Sequence, residues 1–175
     1  TGDPSVSFDA QGRAYYATLG FRFVGPTNAQ SPDVLVHTSP DGGKTWTAHV
    51  IAHGSGIFTS VGDVLDKEYL VAYGNGNAIV TWDDFKQGQK GSFISVKIFD
   101  SVTHDGGATW SAPNLVSGNL TESFVPVPTV TADGRVFIAW LNTTDNVTGR
   151  DDYEVAEVSA TTGAAGSSTE EPAPR

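Results

Sequence analysis

Apolar residues in this chain recur at every second position far more often than at helical spacing. Val, Ile, Tyr, Phe and Thr fill the alternating runs, and turns rich in Gly and Asp break them. The pattern predicts an all-β chain. It places strands at Ser5–Asp9, Ala14–Leu19, Asp33–Thr38 and Lys44–Ile51, then at Tyr69–Tyr73, Ala78–Trp82, Phe93–Phe99 and Thr109–Val116. A last group comprises Thr129–Ala132, Arg135–Leu141 and Tyr153–Ser159. Asp-Gly and Asn-Gly turns between several of them are strong local signals for hairpins.

Two repeats run through these strands. Ser39-Pro40-Asp41-Gly42-Gly43-Lys44-Thr45-Trp46 returns as Thr103-His104-Asp105-Gly106-Gly107-Ala108-Thr109-Trp110, an offset of 110 − 46 = 64 residues. Out of phase with it, the run from Arg13 to Thr18 returns at Asn77–Trp82 and at Arg135–Trp140, with offsets of 64 and 58. A shared period near 60 defines one four-stranded unit used about three times. Consecutive antiparallel hairpins of this kind make a propeller blade, so the chain is expected to be a partial β-propeller of about two and a half to three four-stranded antiparallel blades. Expected boundaries are 1–62 and 63–122 for the complete blades and 123–162 for an incomplete third, where Thr161 replaces the turn aspartate and no Trp follows. Residues 163–175, rich in Gly, Ser, Thr, Glu and Pro, read as a disordered tail or linker.

The turn motif resembles the Asp box, or bacterial neuraminidase repeat, whose pattern is Ser/Thr-x-Asp-x-Gly-x-Thr-Trp. Both copies match at every fixed position: Ser39, Asp41, Gly43, Thr45 and Trp46, then Thr103, Asp105, Gly107, Thr109 and Trp110. The resemblance implies a sialidase-like propeller of six or seven blades, in which the box holds the fold rather than catalysing. Physical reasoning agrees. Each aspartate can accept N–H groups of its own turn, the glycines permit positive φ, and the tryptophan can fold back over the turn. Equivalent surroundings are therefore expected for Trp46 and Trp110. Calcium at these aspartates finds little support, because each turn offers one carboxylate where that ion prefers several oxygens. No other metal or cofactor is expected.

Charge narrows the partners. Ten basic against twenty acidic residues give −10, which argues against nucleic acid and anionic membranes. No apolar run reaches the roughly 18 residues of a membrane span. The chain does not begin with Met and reads as a processed or excised piece; the absence of Cys rules out disulfides without deciding the compartment, and the resemblance implies a secreted or cell-surface protein.

Candidate chemistry falls on the face opposite the Asp boxes, in stretches read as loops. Asp66 and Glu68 precede an innermost strand, Asp83 and Asp84 follow one, and Arg22 and Arg150 are the arginines available there. Asp3, His53, Asp63, Lys67, Lys86, Glu122, Asp145, Asp151 and Asp152 share that face. By resemblance, a sialidase needs three arginines to clamp a carboxylate, together with a Tyr nucleophile and an Asp acid/base. Arg13 and Arg135 lie in turns on the other face and Arg175 in the tail, so two remain and the sialidase site is incomplete in this chain. Trp82 and Trp140, at equivalent strand ends, could stack on sugars or pack between blades; their recurrence favours packing. Three Asn-x-Thr sequences, at Asn119, Asn142 and Asn146, matter only in a glycosylating host.

The expected function is part of a glycan-related propeller, a glycoside hydrolase or glycan binder, completed by the remaining blades. The alternative is a non-catalytic extracellular scaffold or protein-recognition module.

Overall fold

A computed structural model describes residues 2–24, 28–29, 32–55, 61–143 and 152–158. The strands are β1 (Gly2–Phe8), β2 (Ala14–Gly20), β3 (Phe23–Val24), β4 (Asn28–Ala29), β5 (Asp33–Ser39), β6 (Thr47–Ala52) and β7 (Gly62–Tyr73). They continue as β8 (Asn77–Gln87), β9 (Phe93–Thr103), β10 (Asn114–Leu115), β11 (Ser123–Val130), β12 (Val136–Asn142) and β13 (Asp152–Val158). One 3-10 turn at Gln89–Gly91 is the only helical segment among the described residues. The pairing is antiparallel throughout the sheets. Blade one runs β1-β2-β5-β6, blade two β7-β8-β9-β10 and blade three β11-β12-β13, with β3-β4 a small separate hairpin. The grouping into fours expected from the repeat is met in the first two blades. The tail and the altered turn after Ser159 lie outside the described residues.

Alternation sends the two faces of each strand into two different joints. Tyr15, Ala17, Leu19, Val34 and Val36 of blade one pack against Leu65, Leu70, Ala72, Ala78, Val80 and Trp82 of blade two. The opposite face of blade two supplies Ile79, Ile98 and Val102 to Val136, Ile138 and Trp140 of blade three. Trp82 and Trp140 are both buried, so their recurrence serves packing between blades. Neighbouring inner strands are also joined through side chains. Leu70 and Ala72 donate their N–H groups to Ser5 Oγ at 3.1 Å and Ser7 Oγ at 2.9 Å.

Strand lengths differ from expectation in two ways. Trp46 and Trp110 stay within their turns, and the outer strand of blade two shrinks to Asn114–Leu115, directly after Pro113, which has no N–H to give a ladder. Conversely, β7 starts at Gly62 and β8 runs on to Gln87, so Asp66, Glu68, Asp83 and Asp84 lie on paired strands, not in loops. Charges broke the alternation that the sequence reading relied on, yet the backbone ladder continues through them.

Each inner strand carries a bulge at the same place. Register shifts fall between Gly2 and Ser5, Asp66 and Tyr69, and Phe124 and Val127. Within them Asp3, Lys67 and Val125 take φ of 44°, 51° and 55°. Their spacings, 67 − 3 = 64 and 125 − 67 = 58, equal the sequence repeat. Three non-glycine residues in the left-handed region, at one position of a repeat, mark a built feature rather than a local accident.

Candidate functional site

The bulges gather the acidic residues at one end of the inner strands. The repeat supplies an internal control for which of them are unusual. One cross-strand pair beside the bulge is Gly2 with Leu19 in blade one and Phe124 with Leu141 in blade three. In blade two the same pair is Asp66 with Asp83. The residue after the bulge is Pro4 in blade one and Pro126 in blade three, whereas blade two has Glu68. Blade two thus places three carboxyl groups where its neighbours carry small or apolar residues. Two carboxylates directly opposite each other destabilise a sheet.

Glu68 is 1% exposed, and neither carboxylate oxygen has a hydrogen-bond partner. Burial pushes its carboxyl up to about 8, and the charges of Asp3 and Asp66 add to this. The amides of Glu68 and Leu19 pull it back without reaching hydrogen-bond geometry. Asp83 is equally buried and also pushed up to about 8, first by burial and then by Asp66. It accepts the Val125 N–H at 3.0 Å and 3.2 Å on its two oxygens, which holds the strained bulge of blade three. Lys67 spans the joint to blade one, its Nζ 2.7 Å from Asp3 Oδ2 and 3.9 Å from Asp66 Oδ2. The arrangement therefore sets two carboxyl groups that favour their protons beside two carboxylates paired to a lysine. Buried carboxyl groups raised in this way, as Glu68 and Asp83 are, are candidates for acid–base chemistry.

Asp84 points the other way along β8, towards blade one, and burial together with Asp63 raises it to about 6. It lies with Asp63 and His53 on a separate cavity between blades one and two, away from Glu68. Arg22 does not reach the bulges; its Nη2 is 3.0 Å from Asp33 Oδ2, and His53 Nδ1 is 3.2 Å from the other oxygen. Arg150, Asp145 and Asp151 lie outside the described residues.

The two matching turns close by nearly the same hydrogen bonds. Asp41 Oδ1 accepts from Ser39 Oγ, Lys44 N and Thr45 N at 2.9–3.0 Å, and Oδ2 accepts from Thr45 Oγ1 at 2.7 Å. Asp105 takes Thr103 Oγ1 at 2.8 Å, Thr109 N at 3.0 Å and Thr109 Oγ1 at 2.6 Å. These donors hold both carboxyls down to about 2, led by the threonine hydroxyl. Both oxygens of each aspartate are thereby engaged with protein donors. No three His, Asp or Glu side chains cluster as metal ligands among the described residues. The tryptophans differ. Trp110 packs into the joint between blades one and two, while Trp46 is 46% exposed and donates Nε1–H to Gly43 O at 3.0 Å.

Two features escaped the sequence reading. Asp9 accepts from Gln11 N, Arg13 N and Arg13 Nη1 in its own turn and from Gly76 N of blade two at 3.0 Å, tying the blades together on the Asp41 face. Asp100 is buried on β9 and raised to about 6, with only distant contacts to Asn114 Nδ2 at 3.4–3.5 Å. Neither belongs to the repeated motif, so no pattern pointed to them.

No known family profile matches the chain, and no curated protein matches it in sequence. Solved structures do match in shape. A xylan β-1,4-xylosidase from Bacillus halodurans C-125 aligns with TM-score 0.58 and 19% identity over 91% of this chain and 29% of its own. An α-L-arabinanase from Penicillium chrysogenum gives 0.59 and 18% over 92% and 45%. Trypanosoma rangeli sialidase gives 0.60 and 12% over 89% and 28%. The chain spans less than half the length of each of these three proteins. At such identities the likeness speaks to fold alone, and the fold it establishes is that of β-propeller blades.

Proposed function

We propose that the chain is a segment of a secreted or cell-surface, glycan-active Asp-box propeller, and that the bulged end of blade two contributes acid–base carboxyl groups to a glycoside hydrolase site. One observation carries the reading: Glu68, a sealed carboxyl without a partner, stands where both neighbouring blades have proline. A carboxyl group that keeps its proton near neutral pH can donate it to a departing glycosidic oxygen. Asp3 and Asp66, bracketing Lys67, are the carboxylates placed to orient water or sugar hydroxyls.

The site is read as one for neutral sugars. Arg13 pairs with Asp9, Arg22 with Asp33 and Arg135 with Asp133, so among the described residues each arginine already holds a local carboxylate. None is placed beside Glu68 to clamp the carboxylate of a sialic acid. The remaining blades are proposed as the main partners. Val6 and Phe8 of blade one are exposed, whereas Leu70 and Ala72, one repeat later, are buried against blade one.

The near-complete burial of Glu68 and Asp83 supports the second reading, a recognition scaffold in which these carboxyls only shape the joint. The readings separate by assay of the full-length protein on aryl xylosides, arabinosides and sialosides. The hydrolase reading expects turnover of a neutral glycoside. It also expects Glu68→Gln to lower kcat by roughly 10²–10⁴-fold, with a smaller loss on substrates whose leaving groups need no proton. Wild-type turnover that survives Glu68→Gln unchanged, or no turnover on any substrate, leaves the scaffold.

A further inference from the structure

A second concavity lies in the joint between blades one and two. It has a volume of about 350 Å³ and is walled by Ile51, Ala52, Leu65, Trp82, Phe99 and Pro113. That is within the range of small-ligand pockets, roughly 300–1,000 Å³. Phe99 stacks on Trp82, ring centroids 6.1 Å apart and planes 17° from parallel, which gives the cavity a rigid aromatic wall. Asp63, Asp84 and His53 supply its polar rim.

The next joint along the chain differs at the corresponding place. There Leu120, three residues before Ser123, is partly buried against the core cluster that includes Trp140. The connection is also tied to β9 by Val96 N–H to Thr121 O at 2.8 Å and Ile98 N–H to Ser117 Oγ at 3.0 Å. One repeat earlier, three residues before Leu65, the chain has Gly62 and no side chain to insert. Asn142 stands in blade three where blade two has Asp84, so the open joint is also the acidic one.

The rim charges do not balance. His53 Nδ1 lies 3.2 Å from Asp33 Oδ1, and Lys86 Nζ lies 3.5 Å from Asp63 Oδ1. Lys86 acts on Asp84 only at longer range, no cation makes an ion-pair contact with it among the described residues, and its Oδ1 is buried without a hydrogen-bond partner. Asp84 lines the cavity, so a ligand there could add to the weak support that Lys86 gives this carboxylate. A neutral sugar would bring donors but no charge; a compact cation with an apolar body would bring both and would match the walls.

We propose that this inter-blade cavity is a binding site for a small organic ammonium ligand, its cationic head on Asp84 and its apolar body against Phe99, Leu65 and Pro113. The site is separate from the bulged end of blade two and does not depend on its activity. Benzylammonium is a suitable probe and benzyl alcohol its uncharged control, titrated into the full-length protein with the methyl resonances of Leu65, Ile51 and Ala52 as reporters. Benzylammonium is expected to shift these resonances saturably at millimolar concentration, and benzyl alcohol to bind at least about tenfold more weakly, the equivalent of roughly 1.4 kcal/mol. Asp84→Asn is expected to abolish that preference, Leu65→Trp to fill the cavity and remove binding, and Glu68→Gln to leave it untouched. Equal binding of the alcohol, undiminished binding in Asp84→Asn at unchanged melting temperature, or no saturable shift at 10 mM (a limit near 3 kcal/mol) would overturn the proposal.

Discussion

Blades one and two are built from the same repeat, and their turns close by nearly the same hydrogen bonds, yet the turns sit in different surroundings. Trp110 and Gly107 of blade two press into blade one; a methyl group at Gly107 would come within 2.3 Å of Thr38 Cγ2. Among the described residues no blade packs on Trp46 and Gly43, and a methyl at Gly43 would meet only Trp46 Cζ2 at 3.7 Å. Sequence fixes the internal chemistry of such a turn, whereas its energetic weight comes from the neighbouring blade. The expectation of equivalent tryptophans fails for this reason, while the hydrogen-bonded turn that motivated it is present twice.

The sharpest way to break this comparison is at the glycines. Both have φ above 80°, so alanine is strained at either. Only Gly107→Ala also collides with a short, buried side chain on another blade. It is expected to cost about 3 kcal/mol or more, against about 1 kcal/mol for Gly43→Ala, by combining overpacking with backbone strain. Urea denaturation of the two variants measures the gap. Equal losses would mean that the blades are not pressed together at the Asp105 turn.

The tryptophans come next. Trp110→Ala removes a large ring from a packed joint and is expected to cost about 3 kcal/mol, while Trp46→Ala, half in water, is expected to cost less than about 1 kcal/mol. If the proposed further blades include one ahead of blade one, it would cover Trp46, and the two values would converge. The same thermal melts on this chain and on the full-length protein therefore test whether blade one has a neighbour there.

What was legible in the sequence follows the same division. Tyr15, Ala17, Val80 and Ile138 announced their strands by alternation, and Asp41 and Asp105 announced their turns by composition, because local chemistry suffices for each. Glu68 and Asp83 stand out in the sequence as charges, and their pattern reads as loop. A charge in a strand looks like a loop unless the ladder on both sides is visible, and here the ladder runs through a bulge at Lys67. The bulges themselves could be read only once the strands were in register. Asp3, Lys67 and Val125 share neither size nor charge, and only their backbone angle unites them. Arg22 was selected because it was one of few arginines on its face, but its own neighbour Asp33 captures it.

The smallest expected effect concerns Glu68 and separates blade two from blade one by pH. Its carboxyl is raised from an ordinary 4.5 to about 8 in the folded chain. Between those values the folded state holds a proton that the unfolded state has released, so stability falls as pH rises through that window. Below about 4.5 both states are protonated and the penalty vanishes. Glu68→Gln keeps the shape and removes the ionisation. It is expected to be more stable than wild type by on the order of 1–3 kcal/mol at pH 9, and the difference is expected to close by pH 5. Replacing Pro4, its counterpart in blade one, by Gln introduces no titrating group and predicts a pH-independent change. Parallel denaturant titrations at pH 5, 7 and 9 decide the matter, since a flat difference for Glu68→Gln would show that the carboxyl is hydrated rather than sealed. In that event Glu68 would hold no proton ready beside the bulge, while the blade architecture would stand.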